Sequence, residues 1–496
     1  MSAPVKRPLW LTLCLVVVFL AGLLVRLYDL TDPPADFHPA RQYHSATLAR
    51  GLYAEWGGVV EGLDAGRAMV LGNSEPRIEP PIMEHLAALT YLLAGRELLW
   101  IPRLYAILFW LLGGLALAAL ARRAAGDWGV LIASLFYLLL PYGVSASRAF
   151  QPDPLMTALL VAGLWLLVRW WEKPTWRRAL WAGLAVGAAV LAKQSVVFIA
   201  AGAFLGSVLA ARGLKGALRD RQVWLMAALM AAPVLAYNFY GLTAGNLGEQ
   251  YTMRFFPQLW LDPGFYLRWT RMIDGTVGIL PFLLALVGLA LLPRGGLRAG
   301  LLGWFAGYLV YGFVFAHHIG THDYYQLPLI PLVALGLAAA GNALVERLLT
   351  VDARRLARLV LAGTLLAGSA LALYQSYQVL KDGDYRAEPA AWRALGAAVD
   401  GDSAAVTGIF DDYGAKSIYY AGVLPTVFPS AAEVAADEAA AADFAAYFAA
   451  RTEGKRFFVV ADDAQAALQP WLIDHLQSTY PLILEDAVYA VYQLAP

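Results

Sequence analysis

The sequence predicts a polytopic α-helical membrane protein that ends in a small α/β domain. Three observations predict it. Of the 496 residues, 60% are hydrophobic and only 15% are charged, against roughly a quarter charged in soluble domains. About eleven segments are apolar and long enough, or nearly so, for the roughly 20 residues that a membrane span needs. After about residue 380 the apolar runs shrink to strand length and alternate with Ala-rich helical stretches.

The spans are expected at 9–28, 101–121, 128–146, 154–171, 178–192, 195–211, 222–240, 275–292, 299–316, 325–344 and 357–378. The first follows Lys6 and Arg7, and no small-residue cleavage site precedes Asp32, so it reads as a retained anchor. Arginine and lysine fill every second connection: Arg122 and Arg123, then Lys173, Arg177 and Arg178, then Arg212, Lys215, Arg219 and Arg221, then Arg294 and Arg298, then Arg347, Arg354, Arg355 and Arg358. Basic connections face the cytoplasm. The expected topology therefore has a cytoplasmic N-terminus and an extracytoplasmic C-terminal domain, in a plasma (inner) membrane. Lys+Arg and Asp+Glu both total 37, so the chain has no overall bias toward nucleic acid. The single cysteine, Cys14, excludes an intrachain disulfide.

Residues 29–100 form a long first outer loop. Its parts "HPARQYHSATLARGLYAEW" and "PPIMEHLAALTYLLAG" have helical periodicity but are too short and polar to span. They are expected to lie in the membrane interface, with Trp56 and Trp100 at headgroup level. The aromatic loop 241–274 reads the same way. Residues 1–380 form the membrane domain. In the domain 381–496, strands are expected at 404–410, 456–462, 481–486 and 489–494, and helices at 387–399, 431–451 and 463–477.

Ionisable residues collect at one boundary. Asp36, His38, Arg41 and His44 follow the first span. Arg148 and Asp153 sit in "SRAFQPDPLM", Lys193 in "LAKQS", and His317, His318, His322 and Asp323 in "HHIGTHDYYQLPLIPL". Charge at the bilayer centre costs about 2.5–3.5 kcal/mol, so such groups face a cavity or one another. Lys193 breaks the positive-inside pattern; it either snorkels to the headgroups or meets an anionic ligand. A lipid phosphate at this depth would find strong cations, and were it a leaving group they would stabilise its developing charge. An aspartate near an acceptor hydroxyl would be the general base. Each residue also has a plainer role. Asp36 can be a loop carboxylate beside Pro33 and Pro34, and Asp153 an N-cap. His38 and His44 can be the solvated face of an interfacial helix, and Tyr324 and Tyr325 aromatic-belt residues. His85 and Asp411–Asp412 read as structural.

The chain resembles the GT-C-fold glycosyltransferases that use polyprenyl-phosphate sugars, in particular the bacterial relatives of protein O-mannosyltransferases and lipid A aminoarabinose transferases. The resemblance rests on one span followed by a long loop with an acid and Ala49–Arg50, on "EPPIMEHLAAL" followed by "RLYAILFWLLGGLALAALARR", on "SRAFQPDPLMTALL" and "GLAVGAAVLAKQS", and on "HDYYQLPLIPLVALGLAAAG", over roughly residues 8–345. It implies a GT-C-like membrane domain and an inverting transfer from a polyprenyl-phosphate sugar to a lipid, glycan or protein acceptor outside the cytoplasm. It further implies Asp36 or Asp153 as base, Arg41, Lys193, His322, Tyr324 and Tyr325 around the donor phosphate, and His38, His44 and Arg148 in support. No cofactor is expected, since no Asp-x-Asp element stands in the outer loops. The sequence departs from the family where an Asp-Glu pair usually precedes the Ala-Arg element by eight residues: Arg41–Gln42 stand there. Glu79 replaces a basic residue before the two prolines. So Asp36 acts through another loop path, or Asp153 is the base, or the acceptor is itself an anion that needs none.

Two other classes fit the sequence less well. A secondary transporter would carry mid-span charges and related halves with broken helices, whereas these charges gather at one boundary. A binding or scaffold protein for envelope assembly would not need so many spans.

Overall fold

The computed structural model describes residues 8–77, 79–243, 254–350 and 353–495. Lys6 and Arg7, and the stretch 244–253 of the aromatic loop, lie outside the described residues. The chain divides into two compact units: Met1–Leu30, Arg77–Ile82 and Arg103–Asp382 form the first, and Thr31–Pro76, Met83–Pro102 and Gly383–Pro496 the second. The first outer loop thus clusters for most of its length with the C-terminal segment, not with the spans.

The first unit is helical. All of the expected spans fall on helices, and among the described residues eight are long and apolar enough to cross a membrane, or up to nine if a bent pair counts as one. Fewer than the expected eleven segments reach that length in one helix, because several are short or interrupted. In 128–146 the helix Asp127–Leu139 stops, Leu140 is extended (φ −55°, ψ 122°), and Pro141 opens a second short helix, Pro141–Ala146. The residue before a proline is driven out of the α region, which places the break. The segment 178–192 is the 17-residue helix Trp176–Ala192. The segment 275–292 is mainly Ile279–Leu291, which meets Pro263–Val277 at 87°. Gly278, at φ 79°, makes that corner in a conformation that side chains disfavour.

Without water to drive them together, membrane helices associate by close packing of small residues. Val197–Arg219 and Gly296–Val314 do so at Gly202 and Gly303: a Cβ on either would come within about 2.1 Å of the other's carbonyl oxygen. Three buried arginines tie this unit together through backbone carbonyls. Arg26, inside the first helix Leu9–Leu27, donates to Ser147 Oγ, Gly22 O and Leu138 O, each at 2.7 Å. Arg103 reaches Leu30 O at 3.1 Å, and Arg148 reaches Tyr28 O and Asp29 O at 2.8 and 3.0 Å.

The second unit contains a five-stranded sheet of β1 (Val406–Phe410), β2 (Thr426–Val427), β3 (Phe457–Ala461), β4 (Leu482–Asp486) and β5 (Tyr489–Gln493), in the order β2-β1-β3-β5-β4. β1 pairs parallel with β2 and β3, and β5 is antiparallel to β3 and β4. Side chains alternate between two cores, as the strand period requires. Val459 and Val491 join Trp392 and Leu395 on one face, while Phe458 and Tyr492 join Phe448 and Leu472 on the other. The four expected strands are present; the two-residue β2 was not expected. The single helix expected over 431–451 is three: Ala431–Ala436, Glu438–Ala442 and Phe444–Arg451. Ser430, Asp437 and Asp443 each cap the next piece with a side-chain oxygen, so the polar residues in the alanine tract punctuate it. Likewise 463–477 divides at Gln469 before Pro470.

In the same unit, helix Pro39–Glu55 buries Gln42, Tyr43, Ser45–Ala49, Gly51, Tyr53 and Ala54 and packs on helix Ala65–Ser74. The expected solvated interfacial face is therefore largely covered by protein.

Candidate functional site

The buried polar cluster of the first unit is built from three distant turns. Asp153 is the first residue of helix Asp153–Glu172, following Pro152. It does not cap that helix, contrary to its plainer expected role; it points elsewhere. Lys193 ends helix Trp176–Ala192 in an extended conformation (φ −151°, ψ 105°), and a short 3-10 turn, Gln194–Val196, leads into the next helix. Forty residues apart in sequence, Lys193 Nζ and Asp153 Oδ1 meet at 2.6 Å, with side chains 3% and 1% exposed. Lys193 therefore does not snorkel. The third turn supplies aromatic faces: Nζ lies 4.7 Å from the ring centre of Tyr324 and 5.1 Å from that of Tyr325, both buried. Cation–π contacts of this kind gain strength when desolvated.

An ammonium has three donors, and one is taken by Asp153. Asp153 Oδ2 is buried without a hydrogen-bond partner, as are both side-chain amide atoms of Gln151. This turn therefore carries polar capacity that the protein itself leaves unused. Tyr325 stacks on Tyr311 and His318, and His318 on His322, whose Nδ1 lies 2.8 Å from Thr321 Oγ1. The sequence reading assigned no role to Gln151, His318 or Tyr311; His318 stands two residues from the turn's core, and Tyr311 looks like an ordinary span residue.

Burial, and then the neighbouring His322, lowers the His318 pKa from 6.5 to about 4. A histidine held neutral in the fold but free to protonate when unfolded costs stability as pH falls. The thermal midpoint is expected to drop between pH 6.5 and about 4. His318→Gln should flatten that drop, and an identical pH profile in the variant would refute the assignment.

Asp36, His38, Arg41 and His44 lie in the second unit. Asp36 is half-buried; its Oδ1 accepts from Gln42 Nε2 at 3.3 Å, and the same amide nitrogen donates to Phe37 O at 2.8 Å. Burial, then the carboxylate of Asp36, raises the pKa of Tyr385. His38 occupies the N-cap position of helix Pro39–Glu55 in a left-handed conformation (φ 45°), and Arg41 lies on its first turn. His44 Nδ1 is 2.6 Å from Glu75 Oε2, so it is ion-paired or hydrogen-bonded and not solvated. Asp32 accepts from the Tyr385 backbone N–H at 3.2 Å.

Two networks here were not foreseen. Arg50, known only as part of the Ala49–Arg50 element, pairs with Glu97 at 2.8 Å, donates to the Tyr419 carbonyl, and lies 3.6 Å over the Tyr419 ring, whose hydroxyl donates to Glu97 at 2.8 Å. Lys416 pairs with Glu388 at 2.9 Å and Asp411 at 3.4 Å. Burial lowers the Lys416 pKa, but Asp411 and Glu388 outweigh it and the net shift is upward; burial raises Asp411 and Asp412. The Tyr-Tyr pair at 419–420 and the isolated Glu97 were the available signals, but only the fold brings them together.

Among the described residues no three His, Cys, Asp or Glu side chains converge as metal ligands.

The family model for dolichyl-phosphate-mannose-protein mannosyltransferases matches residues 78–240, which include Asp153 and Lys193. No curated protein sequence matches the chain. Among solved structures, ArnT from Cupriavidus metallidurans bound to undecaprenyl phosphate is similar over 98% of this chain and 98% of its own, at 16% identity and a TM-score of 0.58. The archaeal oligosaccharyltransferase AglB from Archaeoglobus fulgidus, in complex with an inhibitory peptide and a dolichol-phosphate, is similar over 91% of this chain and 69% of its own, at 12% identity and a TM-score of 0.57. The same enzyme with zinc and sulfate gives 13% identity, 92% and 69% coverage, and a TM-score of 0.56. The chain shares the GT-C fold of these transferases, and with its long apolar helices it is a multi-pass membrane protein.

Proposed function

We propose that this protein is a membrane glycosyltransferase that moves a sugar from a polyprenyl-phosphate donor to an extracytoplasmic acceptor, with inversion at the anomeric carbon. The observation that carries the reading is the buried Lys193–Asp153 pair beneath Tyr324 and Tyr325. It is a desolvated cation with donors to spare, within the segment that matches the mannosyltransferase family model. The fold shared with ArnT and AglB, whose structures hold undecaprenyl phosphate and dolichol-phosphate, supports the donor class.

In the proposed reaction an acceptor oxygen attacks the anomeric carbon, the bond to the phosphate oxygen breaks, and polyprenyl phosphate leaves with the electron pair. Lys193 stabilises the charge growing on that phosphate, with His322, Tyr324 and Tyr325 as further donors or packing faces. Asp153 keeps Lys193 charged and aimed, a positioning role that fits its geometry better than that of base. Asp36 takes the acceptor proton. His38, His44 and Arg148 hold the surrounding loops. No step of the proposed reaction runs through a metal ion; the archaeal oligosaccharyltransferase has been solved with zinc, and addition of zinc or a chelator to the transfer assay tests for a metal requirement. The N-terminus is placed in the cytoplasm and the α/β domain outside, following the distribution of arginine and lysine.

The test is incubation of the purified chain in nanodiscs with polyprenyl-phosphate sugars carrying labelled hexose or pentose, with membrane extract as the acceptor source. Label moving off the lipid, with release of polyprenyl phosphate, is the expected result. Failure with every donor, in the presence of extract, would overturn the reading.

A further inference from the structure

The far ends of the same helices hold a charged cavity. Helix Asp153–Glu172 begins at the Lys193–Asp153 pair; at 1.5 Å per residue its other end lies about 30 Å away. There a cavity of about 260 Å³ is lined by Arg123, Trp171, Glu172, Arg294, Gly296 and Arg298, among others. Glu172 is matched by Arg123, whose Nε lies 2.6 Å from Oε1. That leaves Arg294 and Arg298 uncompensated. Arg298 uses Nη1 on Leu292 O at 3.2 Å, and Arg294 is exposed, with no ion-pair partner among the described residues.

These two cations stand where electrostatics disfavours them. They flank the start of the 19-residue helix Gly296–Val314, which has no side-chain cap and no acid in its first turn. Helix N-termini carry partial positive charge, and cations are ordinarily placed at the other end. The first N–H bonded into this helix is that of Ala299, to Gly295 O at 3.0 Å, so the preceding amides form an open first turn. The cavity, the two arginines and the open amides therefore all favour an anion. The wall is aromatic: Trp171 lies so close to Gly296 that a Cβ there would fall 2.4 Å from its Cγ. Tryptophan at the end of a span is a headgroup-level residue, and basic pockets between spans on the cytoplasmic side bind anionic lipid headgroups.

We propose that this cavity binds the phosphate of an anionic phospholipid in the leaflet opposite the transfer site. Phosphate is the shared chemistry of lipid and soluble ligands; the Trp171 wall and the flanking Leu292 and Leu297 assign it to a lipid. The inference does not depend on the transfer reaction.

The test is native mass spectrometry of the full chain, delipidated and then titrated with phosphatidylglycerol, with phosphatidylcholine, or with phosphatidylglycerol plus inorganic phosphate. The wild type should retain phosphatidylglycerol over phosphatidylcholine. Arg294→Gln/Arg298→Gln should weaken that retention about 10- to 30-fold, at roughly 1 kcal/mol per lost charge, while Lys215→Gln/Arg219→Gln should not. Equal retention by the cavity variant, or no preference for the anionic lipid, would overturn the proposal. Displacement by inorganic phosphate at millimolar concentration would make it a soluble-anion site and overturn the lipid assignment.

Discussion

Lys193→Met is expected to lower the stability of the protein by about 3–5 kcal/mol, the cost of leaving a buried charge without its partner. In wild type the ammonium and the Asp153 carboxylate meet at 2.6 Å with almost no exposure. Removing Lys193 strands a carboxylate whose other oxygen already lacks a partner. Asp153→Leu should cost a similar amount for the converse reason. The double variant Lys193→Met/Asp153→Leu should recover most of the loss, because replacing both members of a buried pair with apolar groups is often neutral or stabilising. Thermal unfolding in detergent measures all three. A single variant as stable as wild type, or a double variant showing the full sum of the two losses, would mean that the pair is not buried as described. Stability and activity should separate: the double variant folds, yet lacks the cation assigned to the donor phosphate and should transfer no sugar.

Asp36→Asn is expected to slow transfer about 10²- to 10⁴-fold, the usual range for general acid–base groups, while leaving donor binding unchanged. Asparagine keeps the shape that Gln42 contacts at 3.3 Å but cannot take a proton. The measurement is the single-turnover rate at saturating donor, together with donor affinity. Full activity would remove Asp36 from the chemistry and favour an acceptor that is already anionic. A fall in donor affinity equal to the fall in rate would make it a binding residue instead.

Much of the fold was legible because membrane spans announce themselves by length and hydropathy, and each expected span lies on a helix. The breaks within them were less so. Leu140 and Gly278 interrupt apolar runs whose composition hardly changes, and their cause is a following proline in one case and a left-handed glycine in the other. In the α/β domain the strands were readable from their apolar runs. The alanine tract misled because Asp437 and Asp443 look like solvent-facing residues of one helix, whereas each begins a new one.

The Lys193–Asp153 pair was legible only as two ionisable residue types in expected turns between apolar segments. That Lys193 was out of place in an apolar segment was visible; that its partner is Asp153 was not, since forty residues and a hairpin of helices separate them. His44 had a solvated helix face as its plainer reading; in the fold Glu75 takes it. Arg50 carried weight only as part of a motif, and its partners Glu97 and Tyr419 come from segments with no pattern in common. Long-range pairings between single polar residues leave no local periodicity to read.

The most direct test of the central claim is equilibrium binding of a polyprenyl phosphate to the purified chain, compared with the corresponding polyprenol, which lacks only the phosphate. The account predicts that the phosphate improves affinity at least about tenfold, roughly 1.4 kcal/mol, and that the folded Lys193→Met/Asp153→Leu variant loses this advantage while still binding polyprenol. Equal affinity for the two lipids in wild type would contradict it.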